Sequence, residues 1–335
     1  MRNIFFGLVL LFTLSLNSQA QENNVNQLLE QKKYTEAAAL LEKEYKDREL
    51  VSDDLFFLAK VYAQANNLDS AISKLYTCLD VGYLDLDRIA QSGVFDKIME
   101  HEKFELFVND CMDRKQELLE SIPKERKFLD TLDLPNPVLK GKVSVEEALA
   151  NRRSVRQYED KEIDLNELSQ ILWAAYGITK PLDREGARGG YRTAPSAGAK
   201  YPLEIYVVAG KVTGLEAGVY YYNSQQHELY LMKKGDLRQK LPHAAYGQKM
   251  LAEAPASILF SADYSRTTGK YKKRGKERYV CMDLGHSAEN VYLQCEALGL
   301  ATCAVGSFID LEVKVLIGVV RKEVPLYIMP LGKEK

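Results

Sequence analysis

The stretch that most limits how this chain can fold is Leu203–Ala209, LEIYVVA, entered through Tyr201-Pro202. The proline fixes an extended approach, and a run that is apolar at almost every position suits a strand covered on both faces. Such a strand needs packed layers above and below it. Directly before it stands Ala194–Pro202, APSAGAKYP. Gly198 among small residues lets backbone approach a flat or anionic ligand, and Ser196 carries a hydroxyl able to donate there. The same residues also describe a plain turn in front of a core strand.

Around that strand, helical and strand patterns are interspersed. Ser144 and Glu147 read as a capping box opening a short helix with Val145, Ala148 and Leu149 inward. Asp164 and Glu167 open a second helix, with Leu165, Leu168, Ile171, Leu172 and Ala175 on one face and Gly177 at its end. Lys180–Arg192 reads as a surface loop. Val219–Tyr222 and Leu229–Met232 predict a hairpin, and Ser257–Phe260, Thr302–Phe308 and Leu326–Leu331 predict further strands. The longest helix is expected over Tyr279–Leu298, with Val280, Leu284, Ala288, Val291, Cys295 and Leu298 in one stripe and Gly299 as its stop. Gly285 within it predicts close contact with a helix or a ligand. His286 and Glu289, one turn apart, point to a local hydrogen bond.

Two segments concentrate positive charge. Asn151–Arg156, NRRSVR, places three guanidinium groups and a hydroxyl together. Arginine forks match phosphate oxygens in pairs, although basic residues also suit a helix C-terminus. Arg266–Arg278, RTTGKYKKRGKER, reads either as a solvated mobile loop or as a lid over an anionic or carbonyl-bearing ligand, with Tyr271, Arg274 and Arg278 as its contacts. Further on, Gly306-Ser307 offers backbone N–H groups, and Lys333 adds a cation after Gly332.

At 335 residues the chain has room for two domains. A formal net charge of -2 with 27% charged residues gives no reason to expect nucleic acid. Residues 1–20 read as a secretory signal: Arg2, the apolar run Ile4–Leu16, then Ser18-Gln19-Ala20 as the cleavage site. That run is too short for an ordinary membrane helix. The expectation is a periplasmic or extracellular protein starting near Gln21 with no stable membrane insertion, an uncleaved N-terminal anchor being the alternative. Five cysteines show no CxxC, and with four histidines no metal-ligand spacing, so no metal site is expected. Cys281 and Cys295 read as small buried hydrophobes, and Cys78 with Cys111 as a candidate bridge.

Residues 21–120 carry no strand pattern and match themselves at a spacing of 34. Tyr34–Tyr45 aligns with Leu68–Leu79, so that Ala37 falls on Ala71, Leu41 on Leu75 and Tyr45 on Leu79. Leu58, Ala59 and Tyr62 supply the intervening helix, and Phe95, Phe104 and Phe107 a third, degenerate unit. In period and in small/large pattern this resembles tetratricopeptide (TPR) repeats. It reads either as a platform for a protein or peptide partner or as a packing appendage. Pro123, Pro135 and Pro137, with Lys124–Lys127, then break the periodicity, so 121–140 is expected to be a linker and 141–335 a separate domain.

Taken in order, RRSVR at 152–156, PSAGA at 195–199, ALGLATCAVGSF at 297–308 and PLYIMPLGK at 325–333 resemble the FMN-dependent nitroreductase superfamily. The spacing of PSAGA with YPLEIYVV and the helix GHSAENVYLQ are similar to its SagB-type branch, the thiazole/oxazole-forming (azoline) dehydrogenases. The resemblance implies an α+β fold, a mostly antiparallel sheet wrapped by helices, forming a homodimer with FMN at the dimer interface. It further implies that Arg152 and Ser154, with Arg153 nearby and Lys333 late in the chain, bind the FMN phosphate. Arg156 would lie near the N1/O2 edge of the ring. Pro195, Ser196, Ala197 and Gly198 would line the ring, and Val305, Gly306 and Ser307 would meet it near N5 through backbone groups. Asp283 and Glu289 stand where relatives carry Glu and Gln. Lys200-Tyr201 sits where azoline dehydrogenases place a catalytic pair, an arrangement suited to removing a C–H proton while hydride leaves for N5. It also reads as a solvated lysine beside a packing tyrosine.

The function implied is FMN-dependent dehydrogenation of a small molecule or modified peptide. An export signal favours this over an NAD(P)H-dependent nitro- or quinone reductase, because that donor is not supplied outside the cytoplasm. A TPR-type interaction protein with a non-catalytic flavin-fold domain is the third reading.

Overall fold

The computed structural model describes residues 24–46, 50, 52–82, 86–183 and 188–335, so the expected signal segment lies outside the described residues. The chain divides into two compact units, the first ending at Lys115 and the second running Gln116–Lys335.

Every described element of the first unit is helical: 24–30, Tyr34–Tyr45, Ser52–Gln64, Leu68–Asp80, Leu86–Gln91, Asp96–Met99 and the start of Glu102–Ser121. Burial repeats at the spacing of the self-match, with Ala37, Ala71 and Leu75 fully enclosed and Leu41 nearly so. Asn67 starts the helix Leu68–Asp80 by accepting the Ser70 N–H at 3.2 Å. Farther along, Phe95 packs on Phe56 at 5.6 Å and Phe107 meets Tyr76 edge-on at 5.2 Å. Cys78 and Cys111 are separate buried thiols, not the bridge that export would suit. Burial raises both, Cys111 to about 12, which leaves neither as a reactive thiolate.

The second unit is built on a seven-stranded antiparallel sheet in the spatial order Asp130–Asp133, Glu228–Lys234, Gly218–Asn223, Leu203–Ala209, Ala256–Ala262, Val324–Gly332, Ala301–Thr302. LEIYVVA takes the middle, and all seven of its residues are buried. Leu203, Ile205, Val207 and Ala209 face a layer made by helices Leu165–Tyr176 and Val280–Leu298. Tyr206 and Val208 face the opposite layer, with Leu241, Leu251, Val313 and Ile317. At about 1.5–3 kcal/mol for each large aliphatic side chain fully buried, this double coverage makes the strand the anchor of the fold. The architecture is therefore α+β, as the resemblance implied.

Several expectations need correcting. Segment 121–140 is no linker: Asp130–Asp133 forms the sheet's edge strand, with Thr131 opposite Tyr230. Prolines and charges broke the helical period there, but neither prevents a four-residue edge strand. Val145 and Leu149 are exposed, and in their helix Val145–Asn151 only Ala148 is buried. A Cβ on Gly285 would meet nothing within 4 Å, so that glycine marks no close contact with another helix of the described chain. Cys281 is exposed while Cys295 is buried. Lys180–Arg192 contributes to a short hairpin, Ile178–Pro181 with Gly190–Arg192, whose residues 184–187 lie outside the described set. The basic segment is helical over Ser265–Arg274 and continues as a π-turn over Gly275–Tyr279, since Lys and Arg are good helix formers. In Thr302–Phe308 only Thr302 stays in the ladder, and contact resumes at an isolated bridge between Val305 and Ile328.

Candidate functional site

Helix Val280–Leu298 organises the site. It carries Asp283, His286 and Asn290 at helical spacing, and all three reach toward the segment before the central strand. Ser196 donates its hydroxyl to Asp283 Oδ2 at 2.5 Å, and the Ala197 N–H donates to Oδ1 at 3.2 Å. Ser196 Oγ in turn accepts the Tyr201 N–H at 2.8 Å. His286 Nδ1 lies 3.4 Å from the Pro195 carbonyl, and Asn290 donates to the carbonyls of Ala174 and Thr193. The expected His286–Glu289 bond gives way to these longer-range partners. Burial raises the Asp283 carboxyl, and the Ser196 and Ala197 donors offset this in part.

Those bonds hold an unusual backbone. Gly198 has φ 62°, Ala199 φ 53° and Tyr201 φ 45°. Left-handed geometry at a non-glycine residue costs on the order of 1–3 kcal/mol and persists only where surroundings enforce it. Gly198 has a second reason to be glycine, since a Cβ there would collide with the Tyr271 hydroxyl. Tyr201 is clamped at both ends of its peptide, because its carbonyl also accepts from Arg266 at 3.0 Å. Tyr201 is 5% exposed, its ring edge-on to Tyr176 at 6.0 Å, with the Arg192 guanidinium 4.9 Å from the ring centre. Lys200 beside it is half-buried.

The arginine segment meets the same helix nine positions later, about 13 Å along its axis at 1.5 Å per residue. Arg152 lies 5.2 Å over the Tyr292 ring, with its Nε 3.8 Å from Glu289. Ser154 Oγ is 3.0 Å from the Tyr292 hydroxyl, which also accepts the Ala304 N–H at 2.7 Å. Arg153 donates to the carbonyls of Ala150 and Arg152, and Arg156 approaches the Ser154 carbonyl at 3.4 Å. Backbone pairing sews this segment to the end of the chain: Val155 N–H donates to Thr302, and Glu159 N–H to the Lys333 carbonyl at 2.9 Å. Lys333 is thereby brought to the edge that carries the arginines.

Arg152, Arg153, Tyr292 and Thr302, together with Glu296 and Glu334, line a cavity of about 190 Å³. The Thr302 hydroxyl is buried there without a hydrogen-bond partner. An unsatisfied buried polar group costs about 1–3 kcal/mol, which an accepting ligand oxygen would relieve. Two guanidinium groups and an orphaned donor fit a phosphate. On the opposite flank, Val305 spends both its N–H and its carbonyl on Ile328 at 2.9 Å, so it has no backbone group for a ligand. The Ser307 carbonyl accepts from Gln248 at 2.8 Å, and Gly306 is exposed beside the Tyr327 ring. Of the three residues expected to present backbone groups, Gly306 and Ser307 remain.

The nitroreductase family model matches residues 149–333, more than half of the chain. The chain belongs to the nitroreductase family. A protein of Methanocaldococcus jannaschii named as a nitroreductase is 42% identical over 205 residues, covering 61% of this chain and 98% of that protein. A trifolitoxin-processing protein of Rhizobium leguminosarum bv. trifolii is 33% identical over 144 residues, 42% of this chain and 39% of the relative. Among solved structures, a nitroreductase-named protein of Ralstonia eutropha superposes with a TM-score of 0.52 at 27% identity, covering 63% of this chain and 91% of that one. As a nitroreductase-family chain the protein is an oxidoreductase. The matched region excludes Arg126 and the strand Asp130–Asp133, both integral to the second unit here.

Three residues here lie within the quoted family stretches but were given no role from the sequence. Asn290, Tyr292 and Thr302 acquire roles only because Thr193, Ser154 and Arg153 arrive beside them from elsewhere in the sequence. A trace existed: Asp283, Ser287 and Asn290 interrupt an otherwise apolar helix face at spacings of four and three, and polar residues on a buried face need distant partners.

Proposed function

We propose that this chain is an exported, FMN-dependent dehydrogenase of the SagB type, acting on a small molecule or modified peptide. The observation that carries the flavin part is the cavity with its orphaned Thr302 hydroxyl beside Arg152 and Arg153. Arg152, Arg153, Ser154, Thr302 and Lys333 would hold the phosphate, and Arg156 the polar edge of the ring. Pro195, Ser196, Ala197 and Gly198 would line the ring, with Gly306 and Ser307 offering amides. FMN, when bound, supplies the two-electron acceptor. The protein's part is to hold the reacting C–H group against the small-residue loop and to take its proton, for which Lys200 and Tyr201 are the proposed pair. Clamping of the Tyr201 peptide by Ser196 and Arg266 supports a positioned rather than a wandering side chain.

Likeness to a trifolitoxin-processing protein supports a peptide substrate. The apolar run Ile4–Leu16 supports export. Exposed Val138, Leu139, Val145 and Leu149 support a second copy covering this face. The repeated burial in the first unit supports a TPR-like stack that engages a protein partner. One finding favours a second reading, an NAD(P)H-dependent nitro- or quinone reductase: the relative matched along 98% of its length is named as a nitroreductase.

The two are separated by purifying residues 21–335, recording the visible spectrum, and adding NADPH without oxygen. A yellow protein left oxidised supports the dehydrogenase, rapid bleaching supports the reductase, and a colourless protein that takes up no FMN overturns both.

A further inference from the structure

Seven basic residues lie within Arg266–Arg278, and among the described residues two of them have carboxylate partners: Arg266 with Glu204 and Asp263, and Lys273 with Glu277. Lys270, Lys272, Arg274, Lys276 and Arg278 are exposed with none among the described residues. The nearby Asp283 is buried and engaged by Ser196. The segment meets the small-residue loop through Tyr271 and Lys270, whose hydroxyl and ammonium are the groups that a side chain on Gly198 would meet, and the other four cations follow within the next eight residues. The backbone carrying these cations is irregular just after that contact. Lys272 is held at φ 54°, ψ −141°, and a π-turn over Gly275–Tyr279 follows, pinned by the bond from Arg274 Nε to the Tyr279 hydroxyl at 3.0 Å. Such features collect at functional sites because regular helix would be lower in energy. A purely solvated helix face has no need of them.

We propose that the helical segment Ser265–Tyr279 is a cationic recognition element, and that the substrate brought to the Pro195–Gly198 loop is an acidic peptide segment. Five unneutralised cations spread over nine residues match a short string of carboxylates, and a nearly balanced chain of net charge -2 lacks the wide basic surface that nucleic acid requires. The proposal rests on the reading of that loop as the substrate-facing side of the site, but its test is independent of flavin.

A fluorescein-labelled heptaglutamate peptide would be titrated into residues 21–335 by anisotropy at 50 mM and 200 mM salt. The same titration would use a variant with Lys270, Lys272, Arg274, Lys276 and Arg278 changed to Gln. A control would have Lys115, Lys124, Lys127, Lys140 and Lys142 changed to Gln. The expected result is saturable binding that weakens at higher salt, falls at least tenfold in the first variant and is unchanged in the control. Equal loss in both variants, binding of heptaglutamine as tight as heptaglutamate, or displacement by single-stranded DNA at lower concentration than by free heptaglutamate would overturn it. FMN titration of the same samples reads the flavin site separately, so a failure there is distinguishable from a failure here.

Discussion

Asp283 does more for the site than any residue that a motif would select. It accepts from a side chain and from a backbone amide of the same loop, and the loop's left-handed residues stay strained only while those bonds hold. Asp283→Ala leaves the Ser196 hydroxyl and the Ala197 N–H without that acceptor, at about 1–3 kcal/mol. Calorimetry should show a melting point lower by roughly 2–4 °C for each kcal/mol in a unit of this size. Thr302→Val is expected to act in the opposite sense on the empty protein. Replacing an orphaned hydroxyl by an isosteric methyl is neutral or stabilising, while FMN affinity falls about tenfold, near 1.4 kcal/mol. Denaturation without FMN and a fluorescence titration with it check both halves, and unchanged affinity would remove Thr302 from the phosphate site.

At the scale of elements, two buried polar clusters fix how the strap before the family region joins the sheet. Arg126 sits over the Tyr221 ring at 4.0 Å and donates to Glu323 at 2.5 Å and to the Tyr206 hydroxyl at 2.9 Å. Burial raises the Glu323 carboxyl, with Arg126 offsetting it in part. Glu204 is pushed up by burial as well, but Arg266 and Arg126 together hold it below its ordinary value. Arg126→Met takes the guanidinium from Glu323, leaving it the Tyr206 and Ser261 hydroxyls, and breaking such a buried pair costs about 3–5 kcal/mol, readable as a lower urea midpoint. The other cluster is centred on His227, whose Nδ1 meets the Tyr222 hydroxyl at 2.8 Å and whose Nε2 meets Ser169 Oγ at 2.9 Å and the Pro135 carbonyl at 3.0 Å. Burial lowers this imidazole below its ordinary 6.5. The unfolded chain therefore takes up the proton first, so His227 is neutral and costs nothing above pH 6.5. Stability drains away as pH falls from there through the depressed folded value. Melting points at pH 7.5 and 5.5 should differ less in His227→Gln than in the parent, and an equal difference would exclude this residue as the cause.

For the whole molecule, the division at Lys115 and Gln116 predicts which pieces stand alone. A chain starting at Gln116 retains Arg126, the edge strand and both layers of the sheet, and is expected to unfold cooperatively and to bind FMN as the longer chain does. A chain starting at Gly141 loses the strand opposite Glu228–Lys234 and leaves Glu323 without its guanidinium. It is expected to aggregate through the uncovered edge. Size-exclusion chromatography and urea unfolding of the two would test this, and equal behaviour would mean the strap is dispensable.

Much of this was already determined by the order of residues. The central strand followed from seven positions with no polar alternation. The long helix followed from its apolar stripe and terminal glycine, and the family from four short motifs in sequence. These are local or periodic properties, fixed by backbone geometry and by which faces must avoid water. What only the tertiary structure decided involves partners far apart in the chain. Asp283 was visible as a departure from its relatives and as a polar break in an apolar face, but had no role until Ser196 arrived beside it, and Tyr292 had none before Ser154 and Ala304 closed on its hydroxyl. Residues 121–140 passed for a linker because an edge strand of four residues buries too little to leave a pattern. Burial and hydrogen bonding are properties of the environment, and the environment of each of these residues is assembled by folding.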